Sequence, residues 1–284
     1  GSTWESTGLF TSASGTASFS NVGLTAINYE HDTGGPAGGL IAAPSSDTVT
    51  INNVFTTGSI QGLYSTDEQS EGIGGLVGDL RGNLTNSYSS VNITDTTGKK
   101  RIIGGLVGKI ANTTNIEDSY ATGNLSGHGY KIGGLIGHST HFSAGNMFVR
   151  RSYATGDVTN TGLYGNAGGF IGEASYVEIS DSYATGNVLS AGSITGGFVA
   201  MTGYTTIINR SYSTGTVTLN SPDNTKYWNT VGGFAGLAGF NPGATYGIFD
   251  SYSKSNVTAT NAYAIGGFIG YGSGYGKTDN SYYT

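Results

Sequence analysis

The sequence has no cysteine, four prolines and only 12 Lys and Arg among 284 residues. Without cysteine there is neither a disulfide scaffold nor a thiolate metal site. Against 18 Asp and Glu, the few basic residues leave a net charge of -6 and no basic surface for phosphate. The one basic cluster, Lys99-Lys100-Arg101, reads as a solvated turn, so no nucleic-acid partner is expected. The longest apolar runs, such as residues 102–108, fall far short of the ~20 residues that span a bilayer, so this segment is not expected to insert into a membrane. Scarce proline and the absence of a Gly-X-Y period exclude collagen. Glycine is plentiful instead, with 50 residues, alongside 19 Tyr and a hydrophobic fraction of 36%. That much apolar and aromatic surface argues against disorder. Glycine costs ~1 kcal/mol per helical position relative to Ala, which argues against a helical bundle.

The glycines are ordered by repetition. A Gly-Gly-apolar motif begins at Gly38, Gly74, Gly104, Gly133, Gly168, Gly196, Gly232 and Gly266, with spacings of 28 to 36 residues. Each copy is followed by Ser-Tyr-Ala-Thr-Gly-Asn-Val or a variant, with the aromatic at Phe55, Tyr88, Tyr120, Tyr153, Tyr183, Tyr212, Tyr252 and Tyr282. An apolar residue sits five positions after each of the first seven aromatics, from Ile60 to Val257. Register is fixed inside the motifs and length varies only between them, as in a stacked coil. Each unit holds short β-like runs that cannot close a core alone, but equivalent strands stacked at ~4.8 Å can.

The expected fold is therefore all-β, a right-handed parallel β-solenoid of about eight coils of about 33 residues. A β-propeller is the alternative, although its blades need ~40–50 residues. Residues 1–37, with a degenerate copy at Gly8-Leu9-Phe10 and Phe19-Ser20-Asn21-Val22, are expected to cap the repeat region 38–284. The chain stops at Ser281-Tyr282-Tyr283-Thr284, inside the second motif, and is expected to continue in a longer protein.

The succession of GGLVG or GGFIG and then DSYATGNV resembles the GLUG repeat, over nearly all of residues 38–284. The resemblance implies structural or adhesive modules of bacterial surface adhesins. The repeats also occur in IgA-specific metallopeptidases, but the HExxH zinc motif of those enzymes is absent, so their activity is not carried over.

A search for chemistry yields little. His138 and His141 form an H-x-x-H without a carboxylate nearby in sequence, which reads as a polar loop. There is no EF-hand loop, phosphate loop or GxSxG, and neither a cofactor nor a metal is expected. The position two before each Tyr reads Asn86, Asp118, Arg151, Asp181, Arg210, Asp250 and Asn280, alternating in sign from Asp118 to Asp250. Stacked coils would place opposite charges side by side, a register-setting ladder. A second column, Phe142, Tyr176, Tyr204, Phe240 and Tyr275, reads either as a sugar-stacking surface or as a packing stack. The face taken by the Ser-Tyr column is open, because the motif's Gly could be a bulge. Among the variable loops, the one carrying Asp223, Tyr227 and Trp228 is the first candidate for ligand contact.

These features point to a non-catalytic extracellular segment of a cell-surface adhesin. It would be a monomeric part of a larger chain, acting as a stalk or as a module for a host or neighbouring-cell glycan or protein. A carbohydrate-active solenoid enzyme, an enzyme-attached binding module and a pure spacer are the alternatives.

Overall fold

The computed structural model describes residues 5–32, 34–44, 49–63, 71–97, 101–140, 147–222, 228–240, 246–274 and 277–284. Among these there are only strands, bends and turns, arranged as a parallel β-solenoid. Three sheets run its length: one of nine strands, one of eight, and one long sheet of 21 short strands. All pairings are parallel, with register shifts only at Arg101/Ile102 and Leu24/Ile27 among the described strands, and neighbouring aromatic rings repeat at 4.7–5.1 Å along much of the stack. The first turn is formed by Phe10–Ala13, paired with Ile41–Pro44, and Ser18–His31, paired with Val49–Gly62.

One coil shows how the sequence produces the profile. Strand Arg101–Gly104 runs inward, the chain turns at Gly105-Leu106, and Val107–Ala111 runs outward. Asn115–Glu117, Tyr120–Ala121 and Leu125–Gly127 then follow along the long sheet. The first two strands are the arms of a narrow V. In every coil the inward arm ends on the first Gly of the pair, and those glycines pair with one another from Gly38 to Gly266.

The vertex of the V presses against the long sheet. A Cβ on Gly105 would fall inside contact distance of the Gly134 carbonyl and 2.9 Å from Ala121 Cβ. On Gly134 it would meet Ala154 Cβ at 3.0 Å. The Gly-Gly motif and the Ala of Ser-Tyr-Ala are thus two halves of one contact. Where the partner is a hydroxyl residue it bonds the vertex: Thr56 Oγ1 donates to Gly75 O (2.8 Å) and Ser213 Oγ to Gly233 O (2.7 Å). The vertex divides the interior into two cores, one holding Leu106, Ile110 and Ile116, the other Ile103, Leu125 and Ile132. The residue after the pair, Leu in the first four coils and Phe170, Phe198 and Phe234 in the next three, is fully buried, and Phe268 in the last is partly buried. The three fully buried Phe rings stack 4.5 and 4.8 Å apart.

Alternation runs unbroken through the second motif. In residues 181–188, Ser182, Ala184, Gly186 and Val188 point inward, whereas Asp181, Tyr183, Thr185 and Asn187 point outward. The Gly is therefore not a bulge that reverses the faces. It faces inward, where a Cβ on Gly156 would collide with the Gly123 carbonyl.

Substituting Gly105 by Ala is expected to lower stability by roughly 1–3 kcal/mol or more, because backbone lies in the way of the new methyl. Gly272→Ala, with nothing within 4 Å of its Cβ position, should stay within about 0.5 kcal/mol of the parent. Urea denaturation midpoints compare the two, and equal losses would refute the vertex contact.

Candidate functional site

The outer face of the long sheet carries the charge column. Each of its residues sits at a corner in the left-handed region, with φ of 50° at Asn86, 49° at Asp118, 47° at Arg151, 54° at Asp181, 46° at Arg210, 47° at Asp250 and 48° at Asn280. Asn and Asp tolerate that conformation because their short polar side chains bond locally, whereas Arg does not share the advantage. The two arginines compensate by pairing. Arg151 grips Asp118 through Nε (2.8 Å) and Nη2 (2.9 Å) and also reaches Glu117 (2.9 Å). Arg210 grips Asp181 through Nε (2.6 Å) and Nη2 (2.7 Å). Asn280 Nδ2 donates to Asp250 Oδ1 at 3.1 Å. The hydrogen bonds from Arg151 and Arg210 hold the Asp118 and Asp181 carboxyls below their ordinary values.

Behind the corner runs a buried serine column. Ser119 Oγ accepts from the Ser87 N–H (3.2 Å) and donates to Glu117 O (2.7 Å). Ser152, Ser182, Ser211 and Ser251 repeat the pattern. Each hydroxyl satisfies the N–H of the serine in the preceding coil, which explains serine in this small buried slot.

The tyrosines beside it form one continuous stack from Phe55 to Tyr252, with centroids 4.7–5.1 Å apart and planes within 8°. Tyr282 adds a looser contact at 5.7 Å. Because each ring face is covered by the next ring, the ladder offers edges and hydroxyls, not faces, to solvent. Desolvation and neighbouring phenols raise Tyr120, Tyr153, Tyr183 and Tyr212 above the ordinary phenol value. A parallel ladder follows at the Asn position. Asn92 Oδ1 accepts from Asn124 N (2.9 Å), Asn124 from Asp157 N (2.9 Å), Asp157 from Asn187 N (2.8 Å) and Asn187 from Thr216 N (3.0 Å).

The candidate ligand-contacting aromatics divide between two edges. Tyr176 and Tyr204 stack at 5.5 Å where the outward arm meets the long sheet, with Tyr176 half-buried and Tyr204 54% exposed. Trp228, 58% exposed, lies at the opposite edge, between Val217–Asn220 and Thr230–Gly232. Asp223, Tyr227, Phe142 and Tyr275, and the side chain of Phe240, lie outside the described residues. The Trp228 edge also exposes Leu163, Tyr164 and Tyr263, beside a shallow hollow of about 240 Å³ lined by Thr159, Thr161, Leu189, Ala191 and Asn220.

A polar seam between the two arms is readable only once register is known. Four residues after the second Gly of each pair stand Asp79, Lys109, His138 and Glu173, adjacent in consecutive coils. Lys109 Nζ lies 2.7 Å from Asp79 Oδ2 and 3.8 Å from Glu71. Lys131 Nζ lies 3.1 Å from Glu173 and 3.0 Å from His138 Nε2, which is itself 3.6 Å from Glu173. His138 thus has its carboxylate neighbour across coils, where the linear sequence shows none. Burial lowers His138 and Lys131. Burial pushes Asp79 up to about 7, against the pull of Lys109. Burial opposes ionisation of Glu173 too, but His138 and Lys131 hold it below the ordinary range. Among the described residues no group of three or more His, Cys, Asp and Glu is placed to hold a metal ion.

Residues 101–126 match the GLUG motif family. That stretch contains one vertex and one Ser-Tyr-Ala strand, and the strand register places the same elements in the other coils. It is 36% identical over 175 residues, 58% of its length, to halomucin of Haloquadratum walsbyi. It is 33% identical over 135 residues, 45% of its length, to an immunoglobulin A1 protease of Streptococcus pneumoniae. The matched parts make up 2% and 6% of those proteins' lengths. No solved structure matches.

Asp181→Asn should cost roughly 0.2–1 kcal/mol, the range of an exposed ion pair, and less in high salt. A carboxyl whose folded value is depressed contributes above its unfolded value, ~3.9. The deficit should therefore be full above about pH 5 and vanish as pH falls through the folded-state value. Thermal melts from pH 7 to 2 read this, and a pH-independent deficit would refute the pairing.

Proposed function

We propose that the chain is a non-catalytic, extracellular repeat segment of a cell-surface adhesin, a rigid stalk whose edges contact glycan or protein. The observation that carries this reading is the uniform, register-continuous cross-section. Inward positions are filled from coil to coil, and length varies only in the connections, as suits a scaffold that displays loops. The similarity to parts of halomucin and an immunoglobulin A1 protease supports a module carried within much larger chains. It supports the repeat, not the protease chemistry.

The Trp228 edge is the better of the two contact surfaces. Its exposed Trp and Tyr side chains offer apolar area, and the hollow beside it adds Thr and Asn hydrogen-bonding groups to Leu189 and Ala191. The Tyr ladder is the poorer platform, because its ring faces are already stacked on one another.

A glycan array probed with the parent, Trp228→Ala and Tyr204→Ala should show glycan signals that Trp228→Ala reduces at least tenfold and Tyr204→Ala leaves within about twofold. That is the weight of one desolvated aromatic contact. Signal retained in both variants would remove the edge from consideration, and no signal with the parent on glycan or host-protein arrays would favour a spacer.

A further inference from the structure

The seam between the arms holds an arrangement that an ordinary surface ion pair does not need. Asp79 and Lys109 are direct partners on adjacent parallel strands, their side chains 15% and 12% exposed. The Lys109 amine touches one carboxyl oxygen, Oδ2, at 2.7 Å. The other oxygen, Oδ1, accepts the Gly72 N–H at 2.9 Å. Glu71, next to Gly72 in the chain, brings a second carboxyl within 3.8 Å of the same amine. A nucleophile, an electrophilic carboxyl, a fixed N–H donor on the oxygen where charge would develop, and a carboxylate able to carry a proton therefore meet in one largely buried place.

We propose that Lys109 and Asp79 condense into an intramolecular amide bond, with Glu71 as proton carrier, which ties two successive coils together covalently. The reacting species are the neutral amine and the protonated Asp79 carboxyl. That pair is reached when the ammonium proton of Lys109 passes to the Asp79 carboxylate across the 2.7 Å contact between them. The Nζ lone pair attacks Cγ, and the developing oxyanion at Oδ1 is met by the Gly72 N–H. Glu71 takes the proton released from Nζ and passes it to the departing hydroxyl. One C–N bond forms, one C–O bond breaks and one water leaves, with no oxidant or co-reactant.

Proximity supplies the drive, since strand pairing holds the two groups together in every folded molecule. The second cluster is an internal contrast. There Lys131 meets one carboxylate, Glu173, together with the His138 ring.

The test is the intact mass of the purified, folded chain, followed by peptide mapping. The expected result is a mass lower than the sequence mass by one water, about 18 Da, with a branched peptide joining Lys109 Nζ to Asp79. Lys109→Arg, which keeps the charge but cannot form the amide, should show its full sequence mass. Glu71→Gln should fold and show its full mass. Lys131→Met should still lose one water. Asp79→Asn should lose one ammonia instead, because the same attack expels the side-chain amide. Full sequence mass in the folded parent would overturn the proposal. So would loss of water without the branched peptide, which would point to dehydration elsewhere. Loss of water from Glu71→Gln would overturn the role given to Glu71.

Discussion

The structure depends on one close contact, the glycine vertex pressed on the small residues of the long sheet. A parallel solenoid with an open interior would need large side chains to fill it. Here the chain folds its own backbone inward instead, and two narrow cores replace one wide one. Only a residue without Cβ fits at Gly105 or Gly134, and the residues opposite them are Ala121 and Ala154. With the vertex seated, Leu106 or Phe170 packs beside it, the arms close on each other, and the seam that holds Asp79, Lys109, Lys131, His138 and Glu173 is formed. The glycine content is therefore a consequence of geometry repeated coil by coil.

Stacking identical units places like residues against like, which suits apolar and amide side chains and penalises charge. The outer corner shows how charge is admitted. The left-handed conformation there favours Asn and Asp, yet a run of aspartates would repel. Arg151 and Arg210 interrupt the run, giving up backbone comfort for a two-pronged grip on the acid of the preceding coil. Acids and bases also neighbour one another across coils, unannounced by any motif, in the seam from Asp79 to Glu173.

Much of the fold was legible in the sequence because the two motifs are short, rigid and rigorously spaced. The Gly pairs and the tyrosines align in the structure as they align on paper. What spacing could not reveal was which way side chains face, since that depends on whether the Gly of Ala-Thr-Gly continues the alternation or breaks it. The candidate site was less legible. Tyr176 and Tyr204 read as members of one column and Trp228 as part of a variable loop, but an offset from a motif does not say at which end of the long sheet each emerges. His138 seemed to lack a carboxylate because its partner, Glu173, is one coil away. Counting four residues from each vertex would have exposed that column, but its members differ in type and mimic chance.

Every backbone hydrogen bond between coils points along the long axis of the solenoid. Tension applied between the two ends therefore does not shear a whole sheet at once. It opens the outermost coil first, one set of hydrogen bonds and one ring contact at a time, while the coils beneath stay intact. Each release would pay out about 33 residues of chain, on the order of 110 Å when extended. A solenoid built this way lengthens in steps under load, coil by coil except where neighbouring coils are covalently tied.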